Sequence, residues 1–112
     1  GTVYNSMKQY DDAIHQCRKA LQIKPDSAEA MNNLGKAYKD KGEYDQAIQI
    51  FSKTIAMFPN LAIPHLNIAI IYLFQKNDRE KALYHFERAL EIEPNFPQAA
   101  SVRNKIEEIR SQ

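Results

Sequence analysis

The side chains best suited to chemistry in this 112-residue sequence are one cysteine and three histidines. Cys17 could serve as a nucleophile or redox switch beside a base, and His15, His65 and His85 could bind a metal at a suitable spacing. The histidines show neither i,i+4 spacing nor a Cys/His cluster, and the glycines are isolated, so no phosphate-binding loop is indicated. The sequence therefore predicts no catalytic residue, no cofactor and no metal.

The overall charge and the apolar pattern exclude further classes of partner. The formal net charge is +1 with both signs interspersed, which gives no electrostatic footprint for nucleic acid or an anionic membrane. The longest apolar run, residues 68–74, is too short to span a bilayer, and no signal-peptide pattern opens the sequence. A single cysteine is compatible with the cytoplasm but leaves the compartment open.

An internal repeat organises the chain. Pro25, Pro59 and Pro94 are 34 and 35 residues apart, a period typical of repeat architectures. One residue is inserted in the last repeat, between its tyrosine and its alanine. With that insertion, three further positions align: Tyr4, Tyr38 and Tyr72; Ala13, Ala47 and Ala82; and Cys17, Phe51 and Phe86.

The repeat resembles the tetratricopeptide repeat, whose signature is W-x2-L-G-x2-Y, then A-x3-F, then P. The second unit reads Met31-x2-Leu34-Gly35-x2-Tyr38, Ala47-x3-Phe51, Pro59, and the third reads His65-x2-Ile68-Ala69-x2-Tyr72, Ala82-x3-Phe86, Pro94. The resemblance implies an all-α, right-handed solenoid of antiparallel helix pairs. We expect one domain over 1–112, with a partial repeat at 1–27, repeats at 28–61 and 62–96, and a capping helix at 97–112.

Helix ends follow from capping residues. Gly42 can end a helix in the left-handed conformation, Asn77 can do so in the third repeat, and Lys8 occupies the same place in the first. Predicted N-caps are Asp26 with Glu29, Asn60, Asp78 and Asn95. The predicted helices are 2–8, 10–23, 28–41, 44–57, 61–75, 79–92 and 97–110.

The two ends of the chain depart from the repeat. Gly1 stands at the small-residue position in the middle of a first helix, so we expect the sequence to be a piece of a longer protein. After Pro94 no hairpin follows, and one apolar face remains on the last predicted helix, made of Ala99, Val102, Ile106 and Ile109. This pattern is typical of a terminal capping helix.

The repeat also gives the reactive side chains structural roles. Cys17 takes the place of Phe51 and Phe86, which predicts a small packing residue rather than a nucleophile. His65 replaces the aromatic residue of the signature and is expected to be a partly buried packing residue. His15 and His85 are expected to face solvent.

The resemblance implies that the first helices line a concave groove that binds peptides or proteins. The candidate contact residues are Asn32, Asn33, Lys36, Lys39, Ile63, Leu66, Asn67, Ile70, Leu73 and Phe74. The groove is expected to be polar along the first helix of repeat 2 and apolar along that of repeat 3, where an exposed patch would mark an interaction site. The alternative is that neighbouring helices already cover this patch.

Two binding modes of the family can be weighed on these residues. Asn33 and Asn67 occupy equivalent places and could hydrogen-bond the backbone of an extended peptide. A carboxylate clamp is not favoured, because Ile63 and Asn67 stand where lysine and arginine are needed. Lys36 and Lys39 could favour an acidic segment or simply face solvent.

The sequence thus indicates a protein-interaction module without catalysis of its own, with a protein or peptide partner, no nucleic acid and no membrane insertion. One alternative is a structural module that self-assembles into a homo-oligomer, through the apolar face or the incomplete first repeat. Another is a substrate-positioning part of a larger multidomain protein.

Overall fold

The computed structural model describes the backbone of residues 2–95 and 97–111, and side chains from residue 8 onward in those ranges. These residues form six α-helices and no strand: α1 Thr2–Ile23, α2 Ala28–Lys41, α3 Tyr44–Met57, α4 Ala62–Phe74, α5 Arg79–Ile92 and α6 Ala99–Arg110. The chain divides into two compact units, Gly1–Pro59 and Asn60–Gln112. The predicted all-α class, built from helix pairs, is confirmed.

In the first unit α2 packs against both α1 and α3. Gly35 lets α2 and α3 approach closely, because a Cβ atom there would lie 2.6 Å from Cε1 of the Phe51 ring. Ala47 and Phe51 of α3 are fully buried, and Tyr38 of α2 is buried as well. The small glycine lies opposite the large phenylalanine, an arrangement that lets the two helices pack closely.

The turn after α2 has the predicted glycine cap. Gly42 has φ 93°, and its N–H donates to the carbonyl of Lys39 at 3.0 Å. The N–H of Glu43 donates to the carbonyl of Tyr38 at 2.9 Å, which completes a Schellman motif. These bonds satisfy carbonyl groups that the end of the helix would otherwise leave unpaired.

In the second unit α5 packs against both α4 and α6. Ala69 of α4 and Phe86 of α5 are fully buried and occupy the places that Gly35 and Phe51 have in the first unit. The core combines buried residues of all three helices: Ala62, Leu66, Ala69, Ala82, Phe86, Ala89, Ala99, Val102 and Ile106. The helix that the sequence predicted as a cap therefore contributes three of the four residues of its apolar face to this core, and the fourth, Ile109, packs against it.

The turn between α4 and α5 also agrees with the sequence. Asn77 has φ 55°, the left-handed conformation expected of the inserted residue. Asp78 caps α5, since the N–H of Lys81 donates to its Oδ1 at 3.1 Å. Both features were predicted from residue type alone.

The start of the chain differs from the prediction. Helices were expected at 2–8 and 10–23, but α1 runs without a break from Thr2 to Ile23. Residues 8–11 contain no glycine, proline or asparagine, and Lys8 pays a steric cost in the left-handed conformation, so continuing the helix is favoured there. The predicted equivalences of Gly1 and Tyr4 concern side chains outside those that the structure describes.

Three predicted N-caps were wrong. Ser27, not Asp26, caps α2 by accepting from the N–H of Ala30 at 3.2 Å. Leu61 and Gln98 stand at the N-cap positions of α4 and α6 without a side-chain bond, in place of the predicted Asn60 and Asn95. These helices therefore span 62–74 and 99–110 rather than 61–75 and 97–110, whereas α2, α3 and α5 match their predicted bounds.

Candidate protein-binding site

A cleft runs between α1 and α2 in the first unit. Its two sections have volumes of about 400 and 320 Å3. Tyr10, Ala13 and Cys17 are spaced i, i+3 and i+7 on α1, so they share one helix face and line the same wall. Asn33, with Lys36 and Asp40 at the same spacing, lines the facing wall on α2.

The floor of this cleft is apolar and partly open to solvent. Ala13 is exposed and Cys17 is half-buried. Their equivalents are fully buried in both other repeats, Ala47 with Phe51 in α3 and Ala82 with Phe86 in α5. Among the residues that the structure describes, this face of α1 is not covered, whereas the corresponding faces of α3 and α5 are.

The rim of the cleft carries two of the predicted contact residues. Asn33 and Lys36 are exposed and line it, and their role as partner contacts stays a prediction. Asn32 and Lys39 are half-buried on the same helix. Oδ1 of Asn32 is buried and accepts no hydrogen bond from the described residues.

Polar contacts hold α1 and α2 together along the cleft. Nζ of Lys41 lies 2.7 Å from Oδ1 of Asp11, and this hydrogen bond raises the pKa of Lys41. The Arg18 guanidinium donates to the hydroxyl of Tyr38 and lies 5.6 Å from the centre of its ring. These contacts join α1 to α2 beside the cleft.

Cys17 has the character of a packing residue in this cleft. Burial raises the pKa of its thiol, so the thiol stays protonated near neutral pH and is a weak nucleophile. Cys17 is less buried than Phe51 or Phe86, and its structural role stays a prediction.

The predicted apolar patch on α4 is smaller than expected. Leu66 is only 8% exposed and belongs to the core of the second unit, so it is not available to a partner in this structure. Ile70 and Leu73 are half-buried and pack against the same core. Neighbouring helices cover these three residues because α4 presents apolar side chains on nearly its whole circumference.

Only the two ends of the predicted patch remain open. Ile63 is 41% exposed and Phe74 is 62% exposed. They are eleven positions apart, about 16 Å along a helix, so they do not form one continuous surface. Nζ of Lys105 on α6 lies 5.9 Å from the ring centre of Phe74. Asn67, the other predicted polar contact on α4, is half-buried.

A histidine pair between α4 and α5 was not predicted. Nδ1 of His65 and Nδ1 of His85 lie 2.9 Å apart, and His65 is buried. Tyr72 stacks on the His85 ring, and Tyr84 contacts the ring edge-on. The expected burial of His65 is confirmed, whereas the expected exposure of His85 was wrong.

Both imidazoles favour the neutral form. Burial lowers the pKa of His65, and the positive charge of Arg88 adds to this effect. Burial lowers the pKa of His85 to about 4, with a further contribution from His65. The aligned repeats held a signal for this pair. His65 corresponds to Met31 and His85 to Ile50, and apolar residues at both places indicate that both histidines stand at packing positions.

The described residues hold no cluster of three or more potential metal ligands, so none of them supplies a third metal ligand beside the histidine pair. None of the helices described is long and apolar enough to cross a membrane.

Comparison with known families gives two matches that together cover most of the chain. A tetratricopeptide repeat model matches residues 5–66, and a second tetratricopeptide repeat model matches residues 64–96. Among curated relatives, the Intraflagellar transport protein 88 homolog of Homo sapiens is 30% identical over 97 residues, covering 82% of this chain. Anaphase-promoting complex subunit 7 of Dictyostelium discoideum is 28% identical over 96 residues, covering 86%. This chain spans only 12% and 16% of the lengths of these two relatives.

Solved structures show the same fold. The Yersinia enterocolitica type III secretion chaperone SycD, in complex with a peptide of the translocator YopD, superposes with a TM-score of 0.85 at 22% identity. The alignment covers 98% of this chain and 88% of that one. PcrH in complex with the chaperone binding region of PopD gives a TM-score of 0.82 at 22% identity, covering 98% and 86%.

Proposed function

The chain belongs to the tetratricopeptide repeat family, and on that premise we propose that it is a protein-interaction module without catalysis of its own. The single observation that carries the proposal is the cleft between α1 and α2, whose apolar floor is uncovered and whose rim carries an amide and an ammonium group. The complexes of SycD with a YopD peptide and of PcrH with the chaperone binding region of PopD support it, because they show that proteins of this fold can bind a segment of a partner.

Asn33 and Lys36 are the proposed polar contacts in the cleft. An amide supplies both a donor and an acceptor to a partner, and Lys36 supplies a charge that favours an acidic residue. Asn32 is half-buried on the same helix and its Oδ1 is out of a partner's reach, so Asn32 would add contact area only at its exposed edge. Lys39 lies on the same helix and adds positive charge.

In the second unit, the proposal assigns contacts to Ile63 and Phe74 and leaves Leu66 to the core. Fully burying one such apolar side chain contributes about 1.5–3 kcal/mol before the cost of association. Asn67, Ile70 and Leu73 are half-buried and would add contact area only at their exposed edges.

The repeat boundaries at 27/28, 61/62 and 96/97 and the single domain stay predictions.

The test is selection of short random peptides displayed on phage against the folded chain, followed by affinity measurement on variants. Asn33→Ala should weaken the selected peptides about tenfold, the loss expected for one or two hydrogen bonds to a partner. Gln46→Ala, an exposed amide on α3, is the matched control and should leave the affinity unchanged. The largest amide chemical-shift changes on binding should fall at Gln16, Asn33 and Lys36.

Equal affinity of the selected peptides for wild type and Asn33→Ala, with shift changes away from α1 and α2, would rule out this cleft. Failure to select any peptide or protein segment would argue against the interaction function itself.

A further inference from the structure

We propose that His65 and His85 together bind one divalent transition-metal ion, of which Zn2+ is the type, through their two Nδ1 atoms. The site lies between α4 and α5, and the proposal does not depend on the function proposed for the cleft between α1 and α2. A bound ion would link two helices that already pack against each other.

The fold brings the two histidines together from distant places in the sequence. They are 20 positions apart and meet because α4 and α5 pack side by side. This separation lies outside the short spacings by which metal ligands are recognised in a sequence. The equivalent residues of the second repeat are Met31 and Ile50, which are apolar. Packing alone is therefore satisfied by apolar side chains at these places, and the imidazoles add nitrogen atoms that packing does not require.

The distances within the pair suit an ion with nitrogen ligands. The two Nδ1 atoms are 2.9 Å apart, and the ring centres are 5.2 Å apart. Zinc binds imidazole nitrogen at about 2.0–2.1 Å, which places the ion about 3.2 Å from each ring centre. Ring centres 5.2 Å apart then subtend an angle of about 109° at the ion, the tetrahedral value that zinc prefers. The rings need only tilt until their Nδ1 atoms are about 3.3 Å apart, while the ring centres keep their separation.

Both imidazoles are in the form that binds metal. Burial lowers the pKa of each ring, so both are neutral near pH 7, and neutral imidazole is the commonest metal ligand among side chains. Without metal, one ring carries its proton at Nδ1 in order to donate to the other. When the ion binds, that ring carries its proton at Nε2 instead, so that both Nδ1 lone pairs face the ion.

Solvent reaches the pair from the side of α5. His65 is only 4% exposed, but His85 is half-buried, and Tyr84 beside it is 58% exposed. An ion can enter along the exposed edge of His85 and keep water molecules in its other positions, as zinc does at sites with an open position. Tyr72 stacks on the His85 ring and Tyr84 contacts it edge-on, so aromatic rings support this ligand on two sides.

One nearby charge opposes a cation at this site. Arg88, three positions after His85 on α5, acts on His65 with its positive charge. Its Nη1 donates to Oε2 of Glu91 at 2.5 Å, and this carboxylate balances part of that charge. Removing the charge of Arg88 should therefore tighten metal binding, which gives the proposal a variant that gains affinity.

The test is calorimetric titration of the whole chain with zinc chloride, in a Cys17→Ala background that removes the only thiol. One ion should bind per chain. His65→Gln and His85→Gln should each weaken binding more than about tenfold, since the loss of even an outer-shell partner of a ligand costs about 10- to 100-fold. His15→Gln, an exposed histidine on α1, is the matched control and should leave the affinity unchanged. Mg2+, which takes oxygen ligands, should not bind to the pair.

Nitrogen chemical shifts of the histidine rings show whether the Nδ1 atoms themselves bind the ion. Without metal, one ring of the pair should carry its proton at Nδ1. With Zn2+, both rings should carry it at Nε2, and the largest shift changes should fall at the two Nδ1 atoms. Arg88→Gln should raise the affinity about two- to fivefold, the effect of removing one unit charge near a divalent ion in partly solvated surroundings.

Three outcomes would overturn the inference. The absence of binding heat and of ring shifts at about 1 mM Zn2+ would leave the pair as a hydrogen bond between packing residues. Binding that survives both His65→Gln and His85→Gln would place the ion elsewhere. A bound state in which one ring still carries its proton at Nδ1 would exclude ligation by both rings. Circular dichroism checks each variant first, and if a histidine variant loses its helical signal, the ring shifts of the unaltered pair and the response to Arg88→Gln decide.

Discussion

Nδ1 of His65 lies 2.9 Å from Nδ1 of His85, and this contact ties α4 to α5 inside the second unit. Two imidazoles can share this bond only when one ring is a donor and the other an acceptor at Nδ1, so protonating both breaks it. The groups that face the pair are Tyr72 of α4, and Tyr84 and Arg88 of α5. None of them is an anion that would stabilise a charged imidazole.

The first prediction is that the chain loses stability in mild acid through this pair. Because the pKa of each histidine is lowered in the folded state, the unfolded chain binds more protons below its own histidine pKa of about 6.5. The contribution of the pair to the free energy of unfolding should be at its maximum above that pH. It should decrease as the pH falls toward 4, where His85 titrates in the folded state. Urea denaturation followed by circular dichroism between pH 7.5 and 5 measures this slope, since most carboxylates stay ionised in that range.

A matched pair of variants shows which histidine causes the pH dependence of stability. His85→Gln should flatten it, whereas His15→Gln, an exposed histidine on α1, should leave it unchanged. Equal slopes in wild type and His85→Gln would show that the pair does not cause the acid sensitivity.

The second prediction concerns Gly35. Gly35→Ala should lower the free energy of unfolding by about 1–3 kcal/mol, because overlap with the buried Phe51 ring outweighs the gain in helix propensity. In a Phe51→Leu background the same substitution should be close to neutral. Equal losses in both backgrounds, measured by urea denaturation, would contradict the steric explanation.

The third prediction concerns the N-cap of α5. Asp78→Ala should cost about 0.5–2 kcal/mol, since the N–H of Lys81 loses its acceptor. Asp78→Asn keeps an oxygen in the same place and should retain most of the stability. Thermal unfolding of the three proteins at one pH checks the order, and a loss for Asn as large as for Ala would show that charge rather than capping is responsible.

The fourth prediction separates core from surface on α4. Leu66→Ala should cost about 2–5 kcal/mol because it opens a cavity in the core of the second unit. Phe74→Ala should cost less than about 1 kcal/mol, since the ring is exposed and its described contact is with Lys105. A much smaller loss of stability for Leu66→Ala would show that Leu66 is not a core residue and is open to a partner.

Most of the fold could be predicted from the sequence because the repeat shows which positions are equivalent. Equivalent positions in a repeat have the same place on their helix, and this place indicates which side chains are buried. Ala47, Phe51, Ala82 and Phe86 were placed correctly by alignment, and the bounds of α2, α3 and α5 followed from helical period and capping residues. The break at Lys8 was wrong because a turn position without a turn residue does not stop a helix that packing allows to continue.

The site was predicted less well because exposure depends on neighbouring helices. The period places Leu66 on the side of α4 opposite the signature residues, but whether that side is open depends on what packs there, and Leu66 lies in a core that α6 helps to build. Conversely, Ala13 aligns with the buried Ala47 and Ala82 but is exposed, because no helix among the described residues covers it. Pattern identifies a face, and only tertiary packing decides whether solvent reaches it.

The contact between Gly35 and Phe51 also limits how this sequence can change by recombination between its own repeats. Suppose that a crossover in the loop of a helix pair joined α4 to α3. The methyl group of Ala69 would then stand in the place of Gly35, where a Cβ atom would lie 2.6 Å from Cε1 of the Phe51 ring. The reciprocal product would set glycine against Phe86 and leave a gap the size of a methyl group. Exchange of whole hairpins keeps each small residue with its own phenylalanine, so the hairpin, rather than the helix, is the unit that can be exchanged without a clash or a gap at this contact.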